Sequence, residues 1–331
     1  MAKKEACCEK FKTMIGGQAL LEGIMMRGPE KQSIVVRTPE GLVVKTEDLK
    51  LVAKKHPILG WPLIRGVVNF GASMANGISA LMYAADFYPE EAGEPSKFEK
   101  WLEDTLGGEK MQKLVVGLGV ALGLGLSILL FFLLPMLVSG LLDKLIPNTL
   151  VLHLIEGVVR ITIFLAYVLL TARIPEMKRV FAYHGAEHKT IRCYEAGLPL
   201  TVENVRTQTR LHPRCGTSFL LVVMILSILV FSVASSGLLA LVPALELMRG
   251  SFLFRLIMIA YKLLLLPIVV AFSYEINRWV GRHDNWFTRI LTAPGMWMQK
   301  VTTNEPDDSM IEVGIASLQA VLPEQEGTDR W

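Results

Sequence analysis

The sequence predicts a mostly α, polytopic membrane protein with about four transmembrane helices and a small cytosolic α+β cap. Three observations carry this. Of 331 residues, 52% are hydrophobic. Those residues are gathered into four blocks of spanning length. Before residue 60, by contrast, β-branched runs alternate with turn signals.

Residues 1–60 read as a partly β cytosolic unit. Segments 33–37 and 42–45 are β-branched runs around Pro39-Glu-Gly41, a hairpin signal. Gly16-Gly17 and Arg27-Gly-Pro29 punctuate a second apolar stretch, 19–26. Residues 61–112 form an amphipathic helix and a linker. Within 61–86, Arg65, Asn69, Ser73 and Asn76 make a polar stripe, so this helix should lie on the membrane or against the N-terminal unit. An acidic linker, 89–109, leads to the first span.

Residues 113–172 hold spans one and two, and 217–276 hold spans three and four. The uncharged or nearly uncharged runs are 114–142, 150–172, 217–245 and 252–274. Each exceeds the roughly 20 helical residues that cross a hydrocarbon core. Gly117, Gly119, Gly123 and Gly125 suggest a close helix-packing face on the first. Residues 277–331 form a C-terminal helical segment and tail. Trp279, Trp286 and Trp297 with neighbouring basic residues suit headgroup depth. Beyond Glu305-Pro-Asp-Asp308, the residues Ile311, Ile315, Leu318 and Leu322 form a stripe that should dock on the N-terminal unit. The tail from Pro323 reads as disordered.

Loop charge sets the orientation. Segment 173–216 carries Arg173, Lys178, Arg179, Lys189, Arg192, Arg206, Arg210 and Arg214, whereas the opposite side offers Lys144, Arg249 and Arg255. Both termini and the central loop should therefore face the cytoplasm of a plasma membrane. A net charge of +3 is too small to imply nucleic acid. Four cysteines make no disulfide framework. Cys7 and Cys8 lack the apolar run of a lipoprotein signal, and no cleavable signal peptide precedes them.

The chemistry-bearing stretch is Tyr183-His-Gly-Ala-Glu-His-Lys189, an H-x-x-E-H pattern. His184 and His188, four apart, share one helix face, with Glu187 on the adjoining turn. This is the reversed zincin order. Further on, Leu211-His-Pro-Arg-Cys-Gly-Thr217 adds His212 and Cys215 just before the third span. Imidazole with thiolate selects zinc over magnesium or calcium. Four ligands, His184, His188, His212 and Cys215, would close the shell and make the metal structural. Three would leave room for water, with Glu187 as general base. Glu195, Glu203 and Glu275 are alternative carboxylate ligands, and the choice stays open.

Two further sets stand out. His153, Glu156 and Arg160 share one face of the second span, and Lys262 lies mid-way along the fourth. Charges at that depth face a bundle interior. They read as a buried ion pair fixing helix register, or as a polar path for an ion or headgroup. The arginines 192, 206, 210 and 214 read as topology signals drawn to anionic lipid, or as a grip on a phosphate-bearing substrate.

Four stretches together, 16–29, 183–189, 211–219 and 294–312, resemble the YqhQ-like bacterial membrane proteins, a family of unknown function labelled as metal-dependent enzymes. The resemblance spans nearly the whole chain and implies a bacterial plasma-membrane location. It brings no established catalytic residue. The expected function is a zinc-dependent membrane enzyme, a hydrolase at the cytosolic face acting on peptide or lipid-phosphate. The competing expectation is a non-catalytic scaffold or transport accessory protein, with a structural metal or none. Membrane lipids are the expected partners, and the oligomeric state stays open.

Overall fold

The computed structural model describes residues 10–49, 56–88, 108–142, 145–146, 149–325 and 327–330. Cys7, Cys8, Lys144 and most of the acidic linker lie outside the described residues. Four strands come first: β1 Gly16–Leu20, β2 Gly23–Arg27, β3 Lys31–Thr38 and β4 Gly41–Asp48. Helices follow as α1 Ile64–Ala85, then α2, which runs Gly108–Ile128, a π turn Leu129–Leu133 and Leu134–Leu141. Next come α3 Thr149–Thr171, α4 Pro175–Glu195, α5 Val202–Arg206 and α6 Gly216–Leu241. The last are α7 Ala244–Leu247, α8 Phe252–Arg282, α9 Trp286–Thr302 and α10 Asp308–Gln319.

Four helical stretches are long and apolar enough to cross a membrane: Gly117–Leu141, Val151–Thr171, Phe219–Leu241 and Phe252–Arg282. They coincide with the four expected blocks, although the fourth helix runs on to Arg282. Large apolar side chains on them point outward, among them Leu122, Val233 and Leu264. That surface suits lipid rather than water. The glycines of the first span depart from expectation. A Cβ at Gly117, Gly119, Gly123 or Gly125 would meet nothing within 4 Å among the described residues.

The chain forms two compact units, one of Met1–Phe87, Val168–Leu226 and Pro267–Trp331, the other of Tyr88–Tyr167 and Ser227–Leu266. In the first, β1 to β4 make an antiparallel meander in sequence order. The β3–β4 hairpin closes at Pro39-Glu-Gly41, as the turn residues predict, with Gly41 at φ +136°. The β1–β2 hairpin carries no such signal. Its turn residue Glu22 has φ +48° and is clamped by Arg179, at 2.5 and 2.6 Å, and by the Tyr183 hydroxyl at 3.1 Å. Tertiary contacts thus impose a left-handed residue where local chemistry did not ask for one.

One face of this sheet supplies Ile24, Met26 and Val35 to a core shared with Ala182, Tyr183, Ala186 and Ile191 of α4 and with Met310, Val313 and Leu318 of α10. Asp307 caps α10 by accepting the Met310 N–H at 2.9 Å, so the C-terminal helix docks on the sheet and α4. The tail is not loose. Thr13 Oγ donates to the Asp329 carboxylate at 2.6 Å, and Thr13 bridges Arg330. The polar stripe of α1 also faces protein: Arg65 holds Glu275 at 2.8 and 2.5 Å, and Asn69 reaches the Tyr274 hydroxyl at 2.8 Å. Trp61, Val67, Met74, Ile78 and Leu81 remain outside.

Candidate metal centre

The segment expected as one polar loop contains a 21-residue helix, α4, started by Pro175 and ended before Gly197 at φ +64°. Its Tyr183–Lys189 stretch is mostly buried. Gly185 is needed there, because a Cβ would sit 2.0 Å from the Asn304 carbonyl. The end of α9 and the residues just after it, 302–304, therefore lie directly on the helix. That closeness allows His184 Nδ1 to donate to the Thr302 carbonyl at 2.8 Å.

His188 is held in the same way, Nδ1 donating to the Arg210 carbonyl at 2.6 Å. A carbonyl only accepts, so Nδ1 of each ring carries a proton and Nε2 is the nitrogen left to act as a ligand. His184 Nε2 lies 3.2 Å from Cys215 Sγ. His188 Nε2 is buried with no hydrogen-bond partner among the described residues. Cys215 precedes the first residue of α6, where the Thr217 N–H and hydroxyl lie 3.4 and 3.2 Å from its sulfur. One ring nitrogen of each histidine and Sγ all fall within 4.8 Å of one another.

These donors fit zinc. Bonds of about 2.0–2.3 Å put tetrahedral ligand atoms roughly 3.3–3.8 Å apart, a range that lies between the 3.2 Å His184–Cys215 separation and the 4.8 Å limit on the trio. Metal-ligating histidines characteristically donate their other nitrogen to a carbonyl or carboxylate, and both do so here. A buried imine lone pair facing nothing is costly, and a cation at this point would satisfy it.

His212 is not brought into this trio. Its ring centroid is 5.6 Å from that of His188, and its Nε2 donates to Glu195 Oε2 at 3.2 Å. Burial, only partly opposed by Glu195, pushes its pKa down to about 3. Among the expected alternatives, Glu195 is engaged by His212, Arg214 and the Thr13 N–H. Burial alone would raise its pKa, but those partners hold it below the usual carboxylate range. Glu203 is exposed on α5 and Glu275 belongs to Arg65. Cys193 sits in a small apolar cluster with Val205 and Ile311.

Glu187 is buried, and its Oε1 accepts the Gly17 N–H at 2.9 Å. A Cβ on Gly17 would lie 2.6 Å from the Met25 carbonyl and 3.0 Å from Glu187 Cδ, so only glycine allows this approach. Burial pushes the Glu187 carboxyl above its ordinary pKa, with His184 and the Gly17 N–H pulling the other way. Glu187, His188, His212 and Cys215 line a cavity of about 300 Å³ together with Gly17, Ser73 and Asn76. Gly17 was not expected at the site, whereas Glu195, expected as an alternative ligand, holds His212 instead. The paired glycines at 16–17 were the available signal for the first.

The basic set is tied internally. Arg192 and Arg210 donate to the carbonyls of Leu211 and Thr303 at 2.7 and 2.8 Å, Arg206 pairs with Asp308, and Arg214 with Glu195. The membrane-depth set lies in the second unit. Glu156 Oε1 receives Lys262 at 2.5 Å and Arg160 at 2.9 Å. Arg160 also donates to the Phe131 carbonyl at 2.8 Å, inside the π turn. His153 Nδ1 stands 3.7 Å from the other oxygen.

Comparison with known proteins places the chain. The uncharacterized protein YqhQ of Bacillus subtilis (strain 168) is 32% identical over 312 residues, 93% of this chain and 92% of that protein. No solved structure matches. The family DUF1385, described as protein of unknown function, matches residues 61–324. The chain belongs to that family.

Proposed function

We propose that this protein is a zinc-dependent membrane hydrolase whose metal is held by His184, His188 and Cys215, with Glu187 as general base. One observation carries the reading: both imidazoles donate Nδ1–H to backbone carbonyls, which leaves two Nε2 lone pairs converging with a cysteine sulfur. When bound, zinc supplies Lewis acidity and activates water near neutral pH.

The rest is done by the chain. Thr302 and Arg210 fix the two rings through their carbonyls, and the start of α6 fixes the sulfur. Three protein ligands leave one position open, the arrangement of catalytic rather than structural zinc. Glu187, pushed toward protonation by burial, takes a proton at a carboxylate oxygen and returns it to the leaving group. The Gly17 N–H holds that carboxylate toward the cavity. The Lys and Arg excess of segment 173–216 supports a cytoplasmic side for this unit and both termini at a bacterial plasma membrane.

The alternative is a scaffold or transport accessory protein in which zinc only joins α4 to the start of α6. The engagement of Glu187 by a backbone N–H favours it, since that contact is also structural. Glu187→Gln separates the two. In the enzyme this variant keeps its zinc and fold but loses roughly 100- to 10,000-fold in rate, and fails to complement a deletion strain. Full complementation by Glu187→Gln alongside failure of His188→Ala would leave only the scaffold.

A further inference from the structure

A cleft of about 1000 Å³ opens in the first unit, and its lining is strongly basic: Lys10, Lys12, Arg214, His283, Arg289 and Lys300 against the single acid Asp284. That acid is engaged by Arg289 at 3.1 Å, and Arg214 by Glu195. Among the described residues no carboxylate pairs with Lys10, Lys12 or Lys300. Three ammonium groups thus line one concavity whose acid, Asp284, is held by Arg289 and also feels Lys12 and Arg214, so basic groups outnumber the acid, an arrangement that draws an anion.

The walls indicate which anion. Phe11 and Trp297 line the same cleft. Trp297 is 56% exposed, and Trp286, Phe287 and Ile290 stand exposed on the same helix, α9. Exposed indoles beside lysines are the composition of a surface at headgroup depth, where anionic lipid adds about 1 kcal/mol per basic residue. Phosphates are gripped by lysine as a point charge. The turn at 211–215 lies between two concavities: Leu211, Pro213 and Arg214 line the cleft, whereas His212, Arg214 and Cys215 line the cavity holding Glu187. Arg214 faces both.

We propose that this cleft binds the phosphate headgroup of an anionic phospholipid, which is the substrate class of the neighbouring centre. The binding stands on the cleft alone, while the role as substrate rests on the hydrolase reading above.

Native mass spectrometry of the full chain in non-ionic detergent tests it, with phosphatidylglycerol, phosphatidylcholine and inorganic phosphate as probes. Phosphatidylglycerol should bind at least tenfold more tightly than phosphatidylcholine. Lys12→Gln with Lys300→Gln should remove that preference, and Lys300→Gln alone, at an exposed position, should reduce it if the pair misfolds. Equal binding of the two lipids, or indifference to both variants, overturns the site. Displacement of phosphatidylglycerol by equimolar inorganic phosphate overturns the lipid as the source of the anion. His188→Ala should lose zinc and keep the lipid preference. A wild-type protein without zinc that still prefers phosphatidylglycerol supports the headgroup site and overturns its role in hydrolysis.

Discussion

Two of the polar clusters buried among the described residues are finished to different degrees. In the second unit, Glu156 is met by Lys262 and Arg160, and Arg160 is further held by a carbonyl and by the faces of Phe132 and Phe231, each 5.5 Å away. Every charge there has an opposite charge against it. In the first unit, a ring nitrogen each from His184 and His188 and the Cys215 sulfur lie within 4.8 Å of one another. Their protonated nitrogens are satisfied outward, at Thr302 and Arg210, and their electron pairs point inward. A cluster whose charges are matched within itself locks structure. One whose donors approach a common point has the arrangement that a metal site needs.

The sharpest test of this contrast is metal content. Purified protein should carry about one zinc per chain, since three donors converge on one point. His184→Ala with His188→Ala should reduce it to background by elemental analysis, while Glu156→Gln should leave it untouched. Zinc retained by the double variant would break the contrast outright.

The next effect runs the other way. Glu156→Gln leaves Lys262 and Arg160 facing each other without an anion, and removal of one partner from a buried pair costs about 3–5 kcal/mol. Thermal unfolding in detergent should register this, and Lys262→Met added to Glu156→Gln should recover part of it. A melting temperature unchanged by Glu156→Gln would show that the ionic cluster does not lock the helices.

Smaller, and directed at how the trio is placed, is Gly185→Ala. The added methyl must displace the Asn304 carbonyl, at a cost of about 1–3 kcal/mol, and with it the Thr302 acceptor of His184. Weakened zinc affinity is the expected readout. Unchanged affinity would mean that residues 302–304 do not position the ring.

The least effect is that of pH. His212 titrates at about 3 in the fold and about 6.5 in an unfolded chain. Between those values the unfolded chain binds the extra proton, so stability declines as pH falls below about 6.5 and levels off near the folded value. Glu195, held below its ordinary range, adds stability that is lost only at lower pH, from about 4.3 downward. Denaturant titrations at pH 7 and pH 5 should differ for the wild type and converge for His212→Gln. An equal pH response in that variant would assign the acid limb to another group.

The parts legible in the sequence were those governed by periodicity and local chemistry. Hydropathy located all four spans, Pro39-Glu-Gly41 marked one hairpin, and the spacing of His184 and His188 put both on one helix face. What escaped was set by partners far along the chain. The β1–β2 turn holds a non-glycine residue at positive φ because Arg179 reaches it across 157 positions. His212 looked like a ligand by type, but a buried carboxylate, Glu195, claims it. Arginines that read as an anion grip reach backbone carbonyls and acids instead. Residue 283 onward contributes His283, Arg289 and Lys300 to a cleft whose other lysines lie near residue 10. No local pattern announces such a meeting.

The link between Thr13 and Asp329 bears on how the protein is made. The two residues are 316 positions apart, so at about 5–20 residues per second the first waits roughly 16–60 s for the second. The strands of the meander pair with their immediate neighbours and can form early in synthesis. Their apolar face, with Ile24, Met26 and Val35, is covered in part by α10, which emerges only after the spans have been threaded. Until then the nascent sheet offers sticky surface to chaperones and proteases. The core of the meander is therefore completed only once α10 has been synthesised.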